Sequence, residues 1–146
     1  MEQKLADMIE KTGTIKLLLI EDDAGNRELV KMYLKKLNIA LAFAENGEAG
    51  LELLKKNQYD LVILDMQMPV LDGYQLIDDY RRFEKSKESH TPVIALTAET
   101  DMQAIELMTK KGCDTHLGKP VTKLQLLSSI YSLLYSERTS DLRPGE

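Results

Sequence analysis

The chain has 146 residues, 43% hydrophobic and 29% charged, a composition that specifies one globular domain and neither a disordered nor a membrane-embedded chain. Nineteen basic against twenty-four acidic residues give a net charge of −5, which argues against a nucleic-acid partner, since such binders carry a basic face. No apolar run approaches the roughly 18 residues of a membrane span, the opening MEQKLADMIEK lacks the apolar core of a secretory signal, and one cysteine, Cys113, excludes a disulfide framework and a Cys-rich zinc site. The expected compartment is the cytoplasm, with no membrane insertion.

Residues 1–13 read either as a short amphipathic helix through Leu5, Met8 and Ile9 or as a linker. The run Ile15–Ile20 (IKLLLI) is the first expected strand. A helix over Arg27–Leu37 places Val30, Tyr33, Leu34 and Leu37 on one stripe, and Asn38 is expected as a left-handed cap at its end. The second strand is Ile39–Ala44. Asn46 then caps a helix over Gly47–Lys56 that turns Leu51 and Leu54 inward.

Leu61–Leu64 (LVIL) is the third strand, and Tyr74–Phe83 repeats Leu76, Ile77, Tyr80 and Phe83 at helical spacing. The stretch Glu84–Ser89 (EKSKES) reads as a solvated loop. Pro92–Leu96 is the fourth strand, followed by a helix over Asp101–Lys111 that stops at Gly112. A weaker strand over Asp114–Leu117 precedes a helix over Lys123–Tyr135, whose Thr122 and Gln125 have capping-box spacing. Residues 137–146 are polar and are expected to be a flexible tail. Strand runs apolar on both faces, alternating with helices, define an α/β parallel sheet, doubly wound with helices on both faces.

A parallel sheet aligns the carboxyl ends of its strands along one edge, where ligands bind in such folds. Glu21, Asp22 and Asp23 follow the first strand, Asp65 the third, Thr97 the fourth and Lys119 the fifth. Acids in such loops are commonly mere surface charge. Two carboxylates about 4 Å apart, however, repel by about 4 kcal/mol at an effective dielectric near 20. A hard cation resolves that conflict, and a few carboxylates completed by water suit magnesium better than a calcium cage. No EF-hand spacing is present. Thr97 reads equally as a cap of the Glu99–Asp101 turn or as a hydroxyl donor to an anion. Gly112 with Gly118-Lys119 imitates a P-loop, but five residues separate the glycines and Pro120 replaces the Ser/Thr, so a phosphate cradle is rejected. Pro120 can fix the Lys119 backbone by restricting the preceding residue, or through a cis peptide bond.

Four segments together resemble the receiver domain of two-component response regulators: Glu21-Asp22-Asp23, the run Leu61–Gly73 (LVILDMQMPVLDG), Pro92–Glu99 (PVIALTAE) and Gly118-Lys119-Pro120. The resemblance covers residues 15 to about 136, and Asp65-Met66-Gln67-Met68-Pro69 is similar to receivers of hybrid sensor kinases. It implies the flavodoxin-like receiver fold, five parallel strands in the order 2-1-3-4-5. The expected organisation is an extension or linker at 1–13, a receiver at 14–136 and a tail at 137–146.

The same resemblance implies that Asp65 accepts a phosphoryl group from the phosphohistidine of a histidine kinase or histidine phosphotransfer protein. Mg2+ would be held by Asp22, Asp65 and the main-chain carbonyl of Gln67, with Glu21, in place of the usual aspartate, acting through water or holding Lys119. Lys119 would pair with phosphoryl oxygens and Thr97 would move to bond them. A downstream protein would read the face formed by 101–111, 114–117 and 123–135, with Met102, Ile105, Met108, His116 and Tyr131 as candidates. His116 departs from the family, which usually has Tyr or Phe there, and reads equally as a switch side chain or a half-exposed strand histidine.

Three rival functions are weaker. A haloacid-dehalogenase-like phosphatase needs a second acid two residues after the phosphorylated aspartate, and that residue is Gln67. A flavin binder needs a Ser/Thr-rich phosphate loop where Glu21-Asp22-Asp23 stands. A pseudo-receiver that only docks partners would not need Asp22, Asp65, Thr97 and Lys119 together.

Overall fold

The computed structural model describes residues 1–136; the expected tail at 137–146 lies outside them. Five parallel strands pair in the order β2-β1-β3-β4-β5, with β1 at Ile15–Ile20, β2 at Ile39–Ala44, β3 at Leu61–Asp65, β4 at Val93–Thr97 and β5 at Thr115–Gly118. The central strands β3 and β4 are buried at every residue, which is why their sequences are apolar on both faces. Helices α2 (Ala24–Leu34), α3 (Gly47–Lys56), α4 (Gly73–Lys85), α5 (Met102–Lys111) and α6 (Lys123–Tyr131) follow the strands in turn. Two apolar layers result, one with Leu17, Leu19, Ile63 and Ile94 under α2 and α6, the other with Leu18, Ile20, Leu64 and Ala95 under α3, α4 and α5.

The five helices that follow strands start on side-chain caps. Asp23, Asn46, Asp72, Asp101 and Thr122 accept from the backbone amides of Asn26, Ala49, Gln75, Ala104 and Gln125, and Thr122 with Gln125 forms the expected capping box. The Asp23 cap starts α2 three residues earlier than the stripe suggested, and α2 ends at Leu34. Leu37 is still buried, but Asn38 is not left-handed: Val70 and Glu88 alone among described non-glycine residues have positive φ, and the Asn38 amide donates to Thr14 Oγ1 at 2.9 Å. The last helix leaves α geometry after Tyr131 and continues as a π turn over Ser132–Ser136.

Residues Glu2–Thr12 form a helix, α1, and not a linker. Leu5 and Ile9 are buried in the same layer as Leu126, Leu127 and Ile130, and Met8 packs beside them. Polar contacts fasten the helix: Lys123 Nζ lies 2.9 Å from Glu2 Oε1, and Lys4 Nζ sits 4.5 Å from the Tyr131 ring centroid.

Glu84 corrects the reading of 84–89 as a solvated loop. It belongs to α4 and is 3% exposed. Arg81 explains this, since its guanidinium donates to Glu84 Oε1 (2.7 Å), Thr91 O (2.8 Å), Gly112 O from two nitrogens (3.0 and 2.8 Å) and Asp114 Oδ2 (3.0 Å). All five guanidinium hydrogens are thereby used, and Glu84 Oε2 accepts from Thr91 N. Asp114, drawn into this network and bonded to Val93 N at 2.8 Å, stays outside β5. The network locks the amino ends of β4 and β5 to α4, at the edge opposite the acidic loops. Glu84→Ala is expected to lower stability by about 2–3 kcal/mol, because it strips the largely covered Arg81 cation of a partner and leaves the Thr91 amide unpaired. Urea unfolding checks this; a loss below about 0.5 kcal/mol, typical of a surface change, would contradict it.

Candidate functional site

The strand register assembles the site. Ile20 pairs with Leu64, so the residues that follow, Glu21 and Asp65, leave the sheet side by side. Asp65 pairs with Leu96, and Thr97 with Gly118, which sets Lys119 at the same edge. The loop after Asp65 turns back sharply enough for Gly73 N to donate to Met66 O at 3.2 Å. A Cβ on Gly73 would meet Met66 Cα at 2.7 Å, so only glycine permits this return.

Asp65 is 1% exposed and Glu21 0%. Asp65 Oδ1 accepts from Lys119 Nζ at 2.7 Å and from Gln67 N at 3.0 Å, while the buried Oδ2 has no hydrogen-bond partner. Glu21 Oε1 is likewise buried and unpartnered, 3.6 Å from Lys119 Nζ. Asp22 is exposed, and one oxygen each from Glu21, Asp22 and Asp65 lie within 4.8 Å of one another. Asp23, grouped with these acids in the sequence, is instead occupied in capping α2. Orphaned carboxylate oxygens beside an open, exposed acid are a donor set that fits a hard divalent cation, and burial without one is costly.

Two buried carboxylates share one ammonium, and their titration reflects that. Burial, reinforced by Asp65, pushes Glu21 up to about 8. Burial alone would raise Asp65 too, but the neighbouring Glu21 carboxyl, the Lys119 ammonium and the Gln67 amide hold it below its ordinary value. Lys119, which burial would lower, is held above its ordinary value by Asp65 and Glu21. Folded Glu21 thus binds its proton more tightly than unfolded Glu21. Its contribution to stability is present below the ordinary 4.5 and is lost as pH rises toward about 8. Without metal, wild type is expected to lose on the order of 2 kcal/mol relative to Glu21→Gln between about pH 5 and pH 8. Chemical unfolding in chelator across that range is the check, and parallel pH curves would contradict it.

Thr97 is fully buried, and its hydroxyl accepts from Glu99 N at 2.9 Å and donates to Glu99 O at 3.1 Å, so the capping half of its expected role is present. The Gln67 carboxamide, assigned nothing from the sequence beyond its backbone carbonyl, donates from Nε2 to Thr97 Oγ1 and accepts from Ala98 N, both at 2.9 Å. His116 is half-buried and pairs with Ala95, two residues behind the Thr97–Gly118 pair, and so lies on the same face of the sheet as Thr97. The Lys119–Pro120 bond is cis. On the expected output face Met102 is 73% exposed, but Met108 is 1% exposed and belongs to the core, because it points under α5 with Ala104. Tyr131 is partly covered by α1.

The model of the response regulator receiver domain matches residues 17–131. The chain is 31% identical over 124 residues to hybrid signal transduction histidine kinase M of Dictyostelium discoideum, covering 83% of this chain but only 5% of that kinase. Among solved structures it is similar to the receiver domain of the response regulator Ssk1 in complex with the Saccharomyces cerevisiae histidine phosphotransfer signaling protein Ypd1, with 26% identity and a TM-score of 0.77 over 85% of this chain and 91% of that one. It is equally similar in identity, with a TM-score of 0.72 over 84% and 98% of the two chains, to the receiver domain of sensor histidine kinase PA1611 from Pseudomonas aeruginosa PAO1, which has magnesium coordinated in its active-site cleft. Those strand-end acids, that register and these matches have one meaning: the chain belongs to the receiver-domain family of two-component signal transduction. Among the described residues no helix is long and apolar enough to cross a membrane.

Proposed function

We propose that this receiver accepts a phosphoryl group from phosphohistidine, on a histidine kinase or histidine phosphotransfer protein, onto Asp65. The observation that carries the reading is the unpartnered, buried Oδ2 of Asp65 beside an Oδ1 already pinned by Lys119 and Gln67 N. One oxygen orients the carboxylate and the other keeps its lone pairs free for attack. Oδ2 forms the new P–O bond as the P–N bond breaks and the imidazole leaves with the electron pair, so the fold contributes positioning and electrostatics. Lys119 offsets charge on the transferring oxygens. Asp22, Asp65 and the Gln67 carbonyl, with Glu21 through water, are the residues that would hold Mg2+, which when bound supplies further neutralisation of phosphoryl charge.

The aspartyl phosphate carries close to two negative charges, and Thr97 and His116 are the side chains we assign to the response. The face of α5, β5 and α6, with Met102 and Ile105 as its exposed and half-exposed members, is the proposed output surface. We take residues 14–136 as the receiver and 1–13 as an extension docked on it, and place the domain in the cytoplasm with the ATP-dependent kinases that make phosphohistidine. Intact-mass measurement after incubation with magnesium and acetyl phosphate tests the reading. One added phosphoryl group in wild type, and none with Asp22→Ala or without magnesium, is expected. No uptake by wild type from acetyl phosphate or from a phosphorylated donor would overturn it.

A further inference from the structure

Gln67 holds both sides of the cleft at once. Its backbone amide donates to Asp65 Oδ1 at 3.0 Å, while its carboxamide reaches across to Thr97 and Ala98, thirty residues further along the chain. The orientation of that carboxamide is fixed by chemistry: Ala98 N can only donate, so the atom 2.9 Å from it is the oxygen, and the nitrogen faces Thr97. Thr97 Oγ1 then receives two donors, Gln67 Nε2 and Glu99 N, and its single proton is directed to Glu99 O. The hydroxyl is saturated, and Ala98 N–H is occupied. The two donors nearest the strand end that could bond an anion on Asp65 are therefore both committed elsewhere, one of them directly to Gln67 and the other held in place by it.

We propose that the Gln67 carboxamide is a latch that holds Thr97 and Ala98 in the unphosphorylated arrangement, so that its release governs how readily the site responds to an anion on Asp65. The inference rests on the phosphoacceptor reading of Asp65 and makes Gln67 a positioning residue, not a catalytic one. Phosphoryl oxygens are charged acceptors, and bonds to them are roughly twice as strong as those to a neutral amide. The latch is thus outcompeted by the phosphoryl group and shifts the balance without blocking it.

The test uses beryllofluoride with magnesium as the phosphoryl probe and two variants, Gln67→Met, which keeps the bulk and the backbone amide but neither carboxamide bond, and Gln67→Ala, which removes the bulk as well. Loss of two neutral hydrogen bonds corresponds to about a tenfold change. In the metal-free protein, the Ala98 amide is expected to exchange about tenfold faster in both variants, while the Val62 amide inside the sheet is unchanged. Beryllofluoride, followed by NMR, is expected to bind both variants several-fold to about tenfold more tightly than wild type. Equal or weaker binding by Gln67→Met overturns the latch, as does a gain confined to Gln67→Ala, which would point to space alone. Unchanged Ala98 exchange overturns it too. Failure of wild type to bind beryllofluoride would sink the phosphoacceptor reading itself, a result distinct from wild-type binding that the variants do not improve.

Discussion

Asp65→Asn is expected to abolish phosphoryl uptake outright while leaving the metal-free fold at least as stable as wild type. The amide has no carboxylate oxygen to attack phosphorus, so no residual rate at this position is expected. The stability half follows from the buried charges. Glu21 and Asp65 stand at adjacent strand ends, 0% and 1% exposed, with one ammonium between them. Neutralising Asp65 removes the carboxylate that adds to the effect of burial in pushing Glu21 up, and leaves Lys119 to pair with Glu21 alone. Thermal melts in chelator check this half, and a loss of several kcal/mol would show that Asp65 is needed for the fold.

Lys119→Ala should have the opposite signature. It strips the only ammonium within salt-bridge distance of either carboxylate among the described residues, and breaking a buried pair from one side costs about 3–5 kcal/mol. Because Lys119 is itself 23% exposed, about 3 kcal/mol near pH 8 is the expected loss. Both carboxylates would then take up protons more readily in the folded state than in the unfolded one. The deficit should therefore shrink as pH falls toward about 5. Magnesium should still bind, since its proposed ligands are oxygens, and should recover part of the stability, while phosphoryl uptake stays poor. Calorimetric titration with magnesium and urea unfolding at two pH values separate these effects. Lost metal binding would instead make Lys119 an organiser of the acidic pocket.

The sheet was legible because the central strands are wholly apolar over Leu61–Leu64 and Val93–Leu96, with the polar Asp65 and Thr97 standing only at their carboxyl ends. Ile15–Ile20, Leu61–Leu64 and Pro92–Leu96 read as two-sided strands, and the acids and hydroxyl that follow them, with the lysine after Asp114–Leu117, could be placed on one edge before any register was known. Less legible were side chains whose partners lie far along the chain. Glu84 sits in a run of charges that looks solvated, and its burial depends on Arg81 bridging to Thr91, Gly112 and Asp114. Asp23 looked like a member of the acidic cluster because a helix cap and a metal ligand are the same carboxylate in sequence, and only the start of α2 distinguishes them. Met102 and Met108 lie six positions apart on α5 and were given one role, yet one is exposed and the other is core. Gln67 is the clearest case. Its spacing from Asp65 excluded a second catalytic acid, but nothing local reveals that its carboxamide reaches Thr97 and Ala98.

The Asp65 carboxylate should become an acyl phosphate, and that group can be located as well as detected. Borohydride reduces an acyl phosphate to the alcohol, converting the modified aspartate to homoserine. Protein incubated with magnesium and acetyl phosphate, reduced with borodeuteride and digested, should carry deuterated homoserine at position 65 and nowhere else in the acidic cluster. Label at Asp22 or Asp23, or phosphoryl uptake that leaves position 65 unlabelled, would contradict it.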